Sequence, residues 1–360
     1  MRALRLSAVF LAAVIVLLLA STAIAAAAPS TSASARTYNV LVGAEQPQRG
    51  VGVMAYFPDK IRIHVGDTVH FIQNSNEIHT VTFLGGQQVP PLIIPAASLG
   101  LPASPSPLVF NPMVVARSTG PVSLANDTTW ANSGIMGREP GQSTSFDVTF
   151  TAEGAYHYVC VVHGMMMSGE VTVVGPASSV PSPNRDTALA HAQIAAKLAK
   201  TPAVFRAARH AVPPVTKNTD GTSTHHILLG YSQGQISLMR FFPSHVRVRP
   251  GDTVQWSMTT HSDAPHTVTF LNGQPEPPLA DVVPQQSGPP VLYVDPGTLF
   301  PSTPTADLMR TGLYSSGLMN PVPGTGWSIV IGSVTSGPLR YLCLLHDTSG
   351  MRGTLVVLPR

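Results

Sequence analysis

The feature that most limits how this chain can fold is that it repeats itself. Tyr56-Phe57-Pro58, Ile61-Arg62-Ile63 and Gly66-Asp67-Thr68-Val69 return as Phe241-Phe242-Pro243, Val246-Arg247-Val248 and Gly251-Asp252-Thr253-Val254, at a constant offset of 185. His79-Thr80-Val81-Thr82-Phe83-Leu84 then returns as His266-Thr267-Val268-Thr269-Phe270-Leu271, and Asn132-Ser133-Gly134-Ile135-Met136 as Ser315-Ser316-Gly317-Leu318-Met319. A Cys-x-x-His closes each series. The period far exceeds that of a solenoid repeat, so a whole domain is duplicated.

Each copy reads as β-structure. Ile61, Ile63 and Val65 alternate with Arg62 and His64, the period of a strand covered on one face, and Val246, Val248 and Val254 follow suit. Similar short runs at 147–151, 156–161, 171–174, 329–331 and 354–358 complete a sandwich. With 34 Pro, 30 Gly and only 11% charged residues, the composition favours short strands joined by turns over long helices. The expected fold is all-β: two tandem Greek-key sandwiches, at 37–175 and 223–360, joined by a linker at 176–222. Within that linker, Thr187 to Lys200 is Ala-rich and predicts a helix, broken near Pro202 and followed by a second piece through His210. Each half also carries a long Pro-rich stretch, roughly 90–121 and 275–304, expected to lie over one end of its sandwich.

The N-terminus reads as an export leader over residues 1–28. Arg2 and Arg5 precede an apolar run from Leu6 to Ala20, and small residues follow around Ala23-Ile24-Ala25. Taken from Leu6 to Ala28, the apolar stretch is long enough to span a bilayer, so an uncleaved leader would serve as a membrane anchor. An extracellular or periplasmic location, or one on the outer face of the cytoplasmic membrane, follows as an expectation. Without the two leader arginines the formal charge of +3 drops to +1, which leaves no basic footprint for nucleic acid.

An exported protein stapled by disulfides should have several cysteines, yet this one has only Cys160 and Cys343. Each begins a compact set of donors. Cys160 and His163 are followed by Met165-Met166-Met167 and Gly169, and Cys343 and His346 by Met351 and Gly353. With His79 or His266 brought in from a distant strand, each half offers two imidazoles, a thiolate and a nearby thioether. Copper that alternates between Cu(I) and Cu(II) uses this mixture of soft sulfur and imidazole nitrogen. Met167 and Met351 each stand two residues before a glycine, which favours Met167 as the thioether of the first half, with Met166 as the alternative.

On these motifs both halves resemble the cupredoxins, in particular plastocyanin, amicyanin and pseudoazurin. The second half matches more closely, with its Cys-x2-His-x4-Met run followed by Gly353-Thr354-Leu355. The resemblance implies two type 1 copper centres, with His79, Cys160, His163 and Met167 as ligands in the first half and His266, Cys343, His346 and Met351 in the second. It also implies a one-electron carrier that docks redox partner proteins through a surface-exposed His163 or His346, beside Gly164, Met165, Leu344 and Leu345. Storage or delivery of copper is the alternative, favoured by the methionine run. Two-domain copper oxidases and nitrite reductases carry His-x-His and His-Cys-His runs, whereas Val159 and Val161 flank Cys160, and Leu342 and Leu344 flank Cys343; an enzyme is therefore not expected. Gly230-Tyr231-Ser232-Gln233-Gly234 matches a hydrolase nucleophile elbow, but the residues after it alternate as a strand where that elbow requires a helix.

Overall fold

In a computed structural model of the chain, residues 34–138, 142–302, 312–332 and 337–359 are described. The leader lies outside them, and among the described residues no helix is long and apolar enough to cross a membrane.

The expected all-β architecture is present in both halves. In the first, one sheet carries Val51–Phe57, Thr37–Gln46, Thr68–Gln73, Ser145–Phe150 and Val122–Leu124 in that spatial order. Facing it is a sheet of Lys60–His64, Gly164–Val174, Gly154–Cys160, Thr82–Leu84 and Trp130–Asn132. The second half repeats this order, with Ile236–Phe242, Ser223–Gln233, Thr253–Ser257 and Gly326–Val330 opposite His245–Val248, Arg352–Val357, Gly337–Leu342, Thr269–Phe270 and Tyr314–Ser315.

Alternation in the sequence becomes alternation in burial. Ile61 and Ile63 face inward while Lys60 and Arg62 face solvent. Val65 does not continue the pattern: the strand ends at His64, and Val65 is 40% exposed beside the turn at Gly66. Between the layers, Tyr56, Phe71, Phe83 and Tyr158 pack edge to face or tilted, and their counterparts Phe241, Trp256, Phe270 and Tyr341 do the same. Such offset arrangements suit the ring quadrupoles and bury large apolar area. The Tyr56 hydroxyl donates to the Thr80 carbonyl at 2.6 Å, tying this core to the residue after His79.

Two features join the halves, and repetition alone did not reveal either. First, the strand Val51–Phe57 pairs antiparallel with its own counterpart, Ile236–Phe242, so one sheet runs through both sandwiches. The register matches Val51 with Leu238, Gly52 with Ser237 and Val53 with Ile236. At the offset of 185 these are equivalent positions, so the seam is symmetric about Gly52 and Ser237. Flanking bonds obey the same symmetry: Met54 N–H donates to the Gln235 carbonyl at 2.8 Å and Met239 N–H to the Gly50 carbonyl at 2.9 Å. Second, the Pro-rich stretches form a small sheet with each other, in which Val109 pairs with Tyr293. The Tyr293 hydroxyl donates to the Pro102 carbonyl at 3.1 Å.

The linker is structural. Its helices, Pro183–Leu198 and Thr201–Ala211, cover the outer face of the seam. Ser182 caps the first by accepting from the Arg185 amide, and Pro183 follows at a position where a missing N–H costs nothing. Ala190 packs on Ala44, Val53, Ala55 and Phe57, and Val204, Phe205 and Ala208 pack on Val51, Leu228, Ile236 and Phe242. The Gly-x-Ser-x-Gly run lies in the hairpin between Ser223–Gln233 and Ile236–Phe242, where Ser232 donates to the Ser237 hydroxyl at 3.0 Å.

Candidate metal centres

The duplicated fold delivers the same donors to the same place twice. Cys160 ends the strand Gly154–Cys160, His163 occupies the turn after it, and Met167 lies early in the returning strand Gly164–Val174. His79 arrives just before Thr82–Leu84, the strand that pairs with Gly154–Cys160, and is fixed by a backbone pair with Met136: His79 N–H to the Met136 carbonyl at 2.9 Å and the reverse at 2.8 Å. In the second half His266 is held by Met319 in the same way, and Cys343 N–H donates to the Met351 carbonyl at 3.0 Å.

Side-chain geometry follows. The Cys160 sulfur lies 3.4 Å from His163 Nδ1 and 3.9 Å from His79 Nδ1. The Cys343 sulfur lies 3.4 Å from His346 Nδ1 and 3.7 Å from His266 Nδ1, and those two nitrogens are 3.0 Å apart. In each group all donor atoms fall within 4.8 Å of one another. Cys160 and Cys343 are both free thiols, so no disulfide links the halves. Met167 and Met351 are fully buried in the core that holds the two cysteines, whereas Met166 is exposed and its carbonyl accepts from Gln235 Nε2.

A second ring of groups orients these donors. Backbone amides of Thr80 and Thr267 donate to the two sulfurs at 3.3 and 3.4 Å. The hydroxyls of the same threonines accept from the amides of Val161 and Leu344, each at 2.8 Å, closing the loop around each cysteine. Ser75 lies 2.9 Å from His79 Nε2, which leaves Nδ1 free to face the sulfur. Gly43 and Gly230 make the histidine positions feasible: both have positive φ, and a Cβ at either would sit 2.5 or 2.4 Å from the Nε2 of His79 or His266.

Electrostatically the pockets are built for a cation that displaces protons. Burial pushes the Cys160 and Cys343 thiols up to about 11, against amide hydrogen bonds that pull the other way. Burial also lowers the imidazoles, His163 to about 4 and His266 to about 3. His79 and His346 are lowered well below the usual range by burial and, secondarily, by neighbouring histidines. Such a site keeps neutral imidazoles with open lone pairs, the state a metal requires, and its thiol would ionise on binding one.

Residues 45–174 match the model of the copper binding proteins of the plastocyanin/azurin family. Over this stretch the chain is similar to that family. Among solved structures, the chain is similar to the Cu(I) form of an amicyanin mutant at 20% identity, covering 38% of this chain and 82% of amicyanin with a TM-score of 0.22. It is similar also to a mutant plastocyanin of fern at 21% identity, covering 38% of this chain and 99% of that one with a TM-score of 0.21.

One expectation for the two sites is corrected. His163 and His346 are not near the surface: their side chains are 5% and 4% exposed, and both turn inward toward Glu77. Leu344 is buried and Leu345 half-buried, so of the apolar patch expected around the downstream histidines only Met165 stands well out in solvent, at 65% exposure. Sequence reading had no means to find Glu77. It stands two residues before His79, but the matching position before His266 is Ala264, so the repeat carries no signal for it.

Proposed function

We propose that this chain is an exported copper protein with two type 1 centres, one per half, that carries single electrons between redox partner proteins. The observation behind the reading is the convergence, twice, of a buried thiol and two imidazole Nδ1 atoms on one point, with a buried methionine a few residues further along the same chain segment. His79, Cys160, His163 and Met167 would hold the first ion, and His266, Cys343, His346 and Met351 the second. Copper bound there supplies a one-electron couple between Cu(I) and Cu(II). The chain's own contribution is rigidity: the donors of each site stand at strand ends and in turns fixed by hydrogen bonds, and one backbone amide points at each sulfur. Export rests on the charged, apolar and small-residue order of the leader.

Metal analysis with visible spectroscopy tests the proposal. Two copper ions per chain and an intense thiolate-to-copper band that bleaches reversibly on reduction are expected. A colourless protein that binds Cu(I) and releases it readily to a chelator would instead establish copper storage or delivery, a reading favoured by the exposed Met165 and Met166 beside the first centre.

A further inference from the structure

Where the two halves meet, the buried carboxyl group of Glu77 stands between the two candidate centres. Glu77 Oε1 lies 3.8 Å from His163 Nε2, and Glu77 Oε2 lies 3.6 Å from His346 Nε2. Each imidazole turns its other nitrogen, Nδ1, to its own cysteine sulfur at 3.4 Å. All three side chains are at most 8% exposed. A continuous path therefore runs Cys160, His163, Glu77, His346, Cys343 without crossing bulk water.

We propose that Glu77 is a shared positioning residue for both centres, a carboxylate bridge that makes them one coupled pair instead of two independent sites. The inference rests on the copper reading above. A ligating imidazole that gives Nδ1 to a metal keeps its proton on Nε2, and an outer carboxylate at that proton fixes the tautomer, the ring orientation and the donor strength. Ordinarily each ligand has its own such partner. Here one residue of the first half serves both, so the second centre depends on a side chain outside its own repeat.

The backbone of the loop that carries Glu77 is held by side-chain hydrogen bonds. Gln73 Nε2 donates to the Glu77 carbonyl at 2.6 Å and to the Ser75 carbonyl at 2.9 Å, and the Ser75 hydroxyl adds a bond to the Glu77 carbonyl at 3.3 Å. The symmetric position is apolar, as Ala264. Two acids meeting between the same pair of imidazoles would repel in a buried space, whereas one can serve both N–H groups. Asp263, the nearest acid of the second half's loop, is instead tied to the Ser237 hydroxyl at 3.1 Å.

The test uses the full chain and Co(II), whose thiolate bands report site occupancy without any electron-transfer assay. Cys160→Ser removes the first centre and leaves the Cys343 centre to be titrated alone. Adding Glu77→Gln, which keeps the shape but replaces one of the two acceptor oxygens with an NH2 that cannot accept from an imidazole N–H, is expected to weaken Co(II) binding at the Cys343 centre by about 10- to 100-fold, as loss of an outer carboxylate partner does. A change below about twofold would overturn the bridge, because a merely local role in the first half would leave the second centre untouched. If the Gln variant does not fold, Glu77→Ala, which installs the residue the second repeat carries, gives the same readout. Failure of the copper reading looks different: the unsubstituted chain would then show no thiolate bands at all.

Discussion

A thiol and two imidazoles that are all neutral when buried make acid the natural antagonist of this protein. The folded pKa values of His163 and His266, about 4 and about 3, lie below the roughly 6.5 of an unfolded imidazole. Between these values the unfolded chain binds more protons than the folded one, so stability rises with pH through the window. The metal-free protein is therefore expected to keep this contribution fully above pH 6.5 and to lose it as pH falls toward 4, visible as a falling midpoint in urea titrations. Bound metal should shift the loss to lower pH, since it competes with protons for the same nitrogens. The two buried methionines allow a sharper experiment: Met167→Leu should alter the copper spectrum and potential of the first centre, while Met166→Leu, at an exposed position, should leave both unchanged. Most donors at this scale were legible in the sequence, because a Cys-x-x-His with a methionine behind it was written twice. Glu77 was not, because a function shared across the two halves needs only one copy.

Among the elements, Lys60–His64 was legible because one face meets the core and the other solvent, whereas Val51–Phe57 shows no such alternation. Val51–Phe57 is buried at every residue, since the aromatic core lies on one side and the linker helix Pro183–Leu198 on the other. The helix Thr201–Ala211 was expected from composition, but its role as a cover for the second half's sheet depends on contacts far away in sequence. Phe205 anchors it against Phe242, and Phe205→Ala should cost about 3 kcal/mol by chemical denaturation, at the low end for a buried aromatic because the site lies near the rim. Gly230 belongs to a different class of element. Its positive φ and the 2.4 Å approach of a Cβ to His266 mean that Gly230→Ala should displace the imidazole and reduce metal uptake at the second centre, measured as copper per chain, while the first centre stays filled.

At the scale of the whole molecule, a sheet shared by both sandwiches predicts shared unfolding. Trp130 reports on the first half, and Trp256 and Trp327 on the second. Single-tryptophan variants should give coincident denaturation curves, and two separated transitions would show that the seam does not couple the halves. Duplication was plain from the sequence, yet the way the copies join was not, because edge pairing between strands leaves no period of its own. The symmetry of that seam has a consequence for how the molecule arose. An edge strand that pairs antiparallel with its equivalent is what a self-associating chain of one repeat would use, and in such an assembly every side chain at the axis must occur twice. Fusion into a single chain lifted that obligation. One copy was then free to keep an acid where the other has only a methyl group.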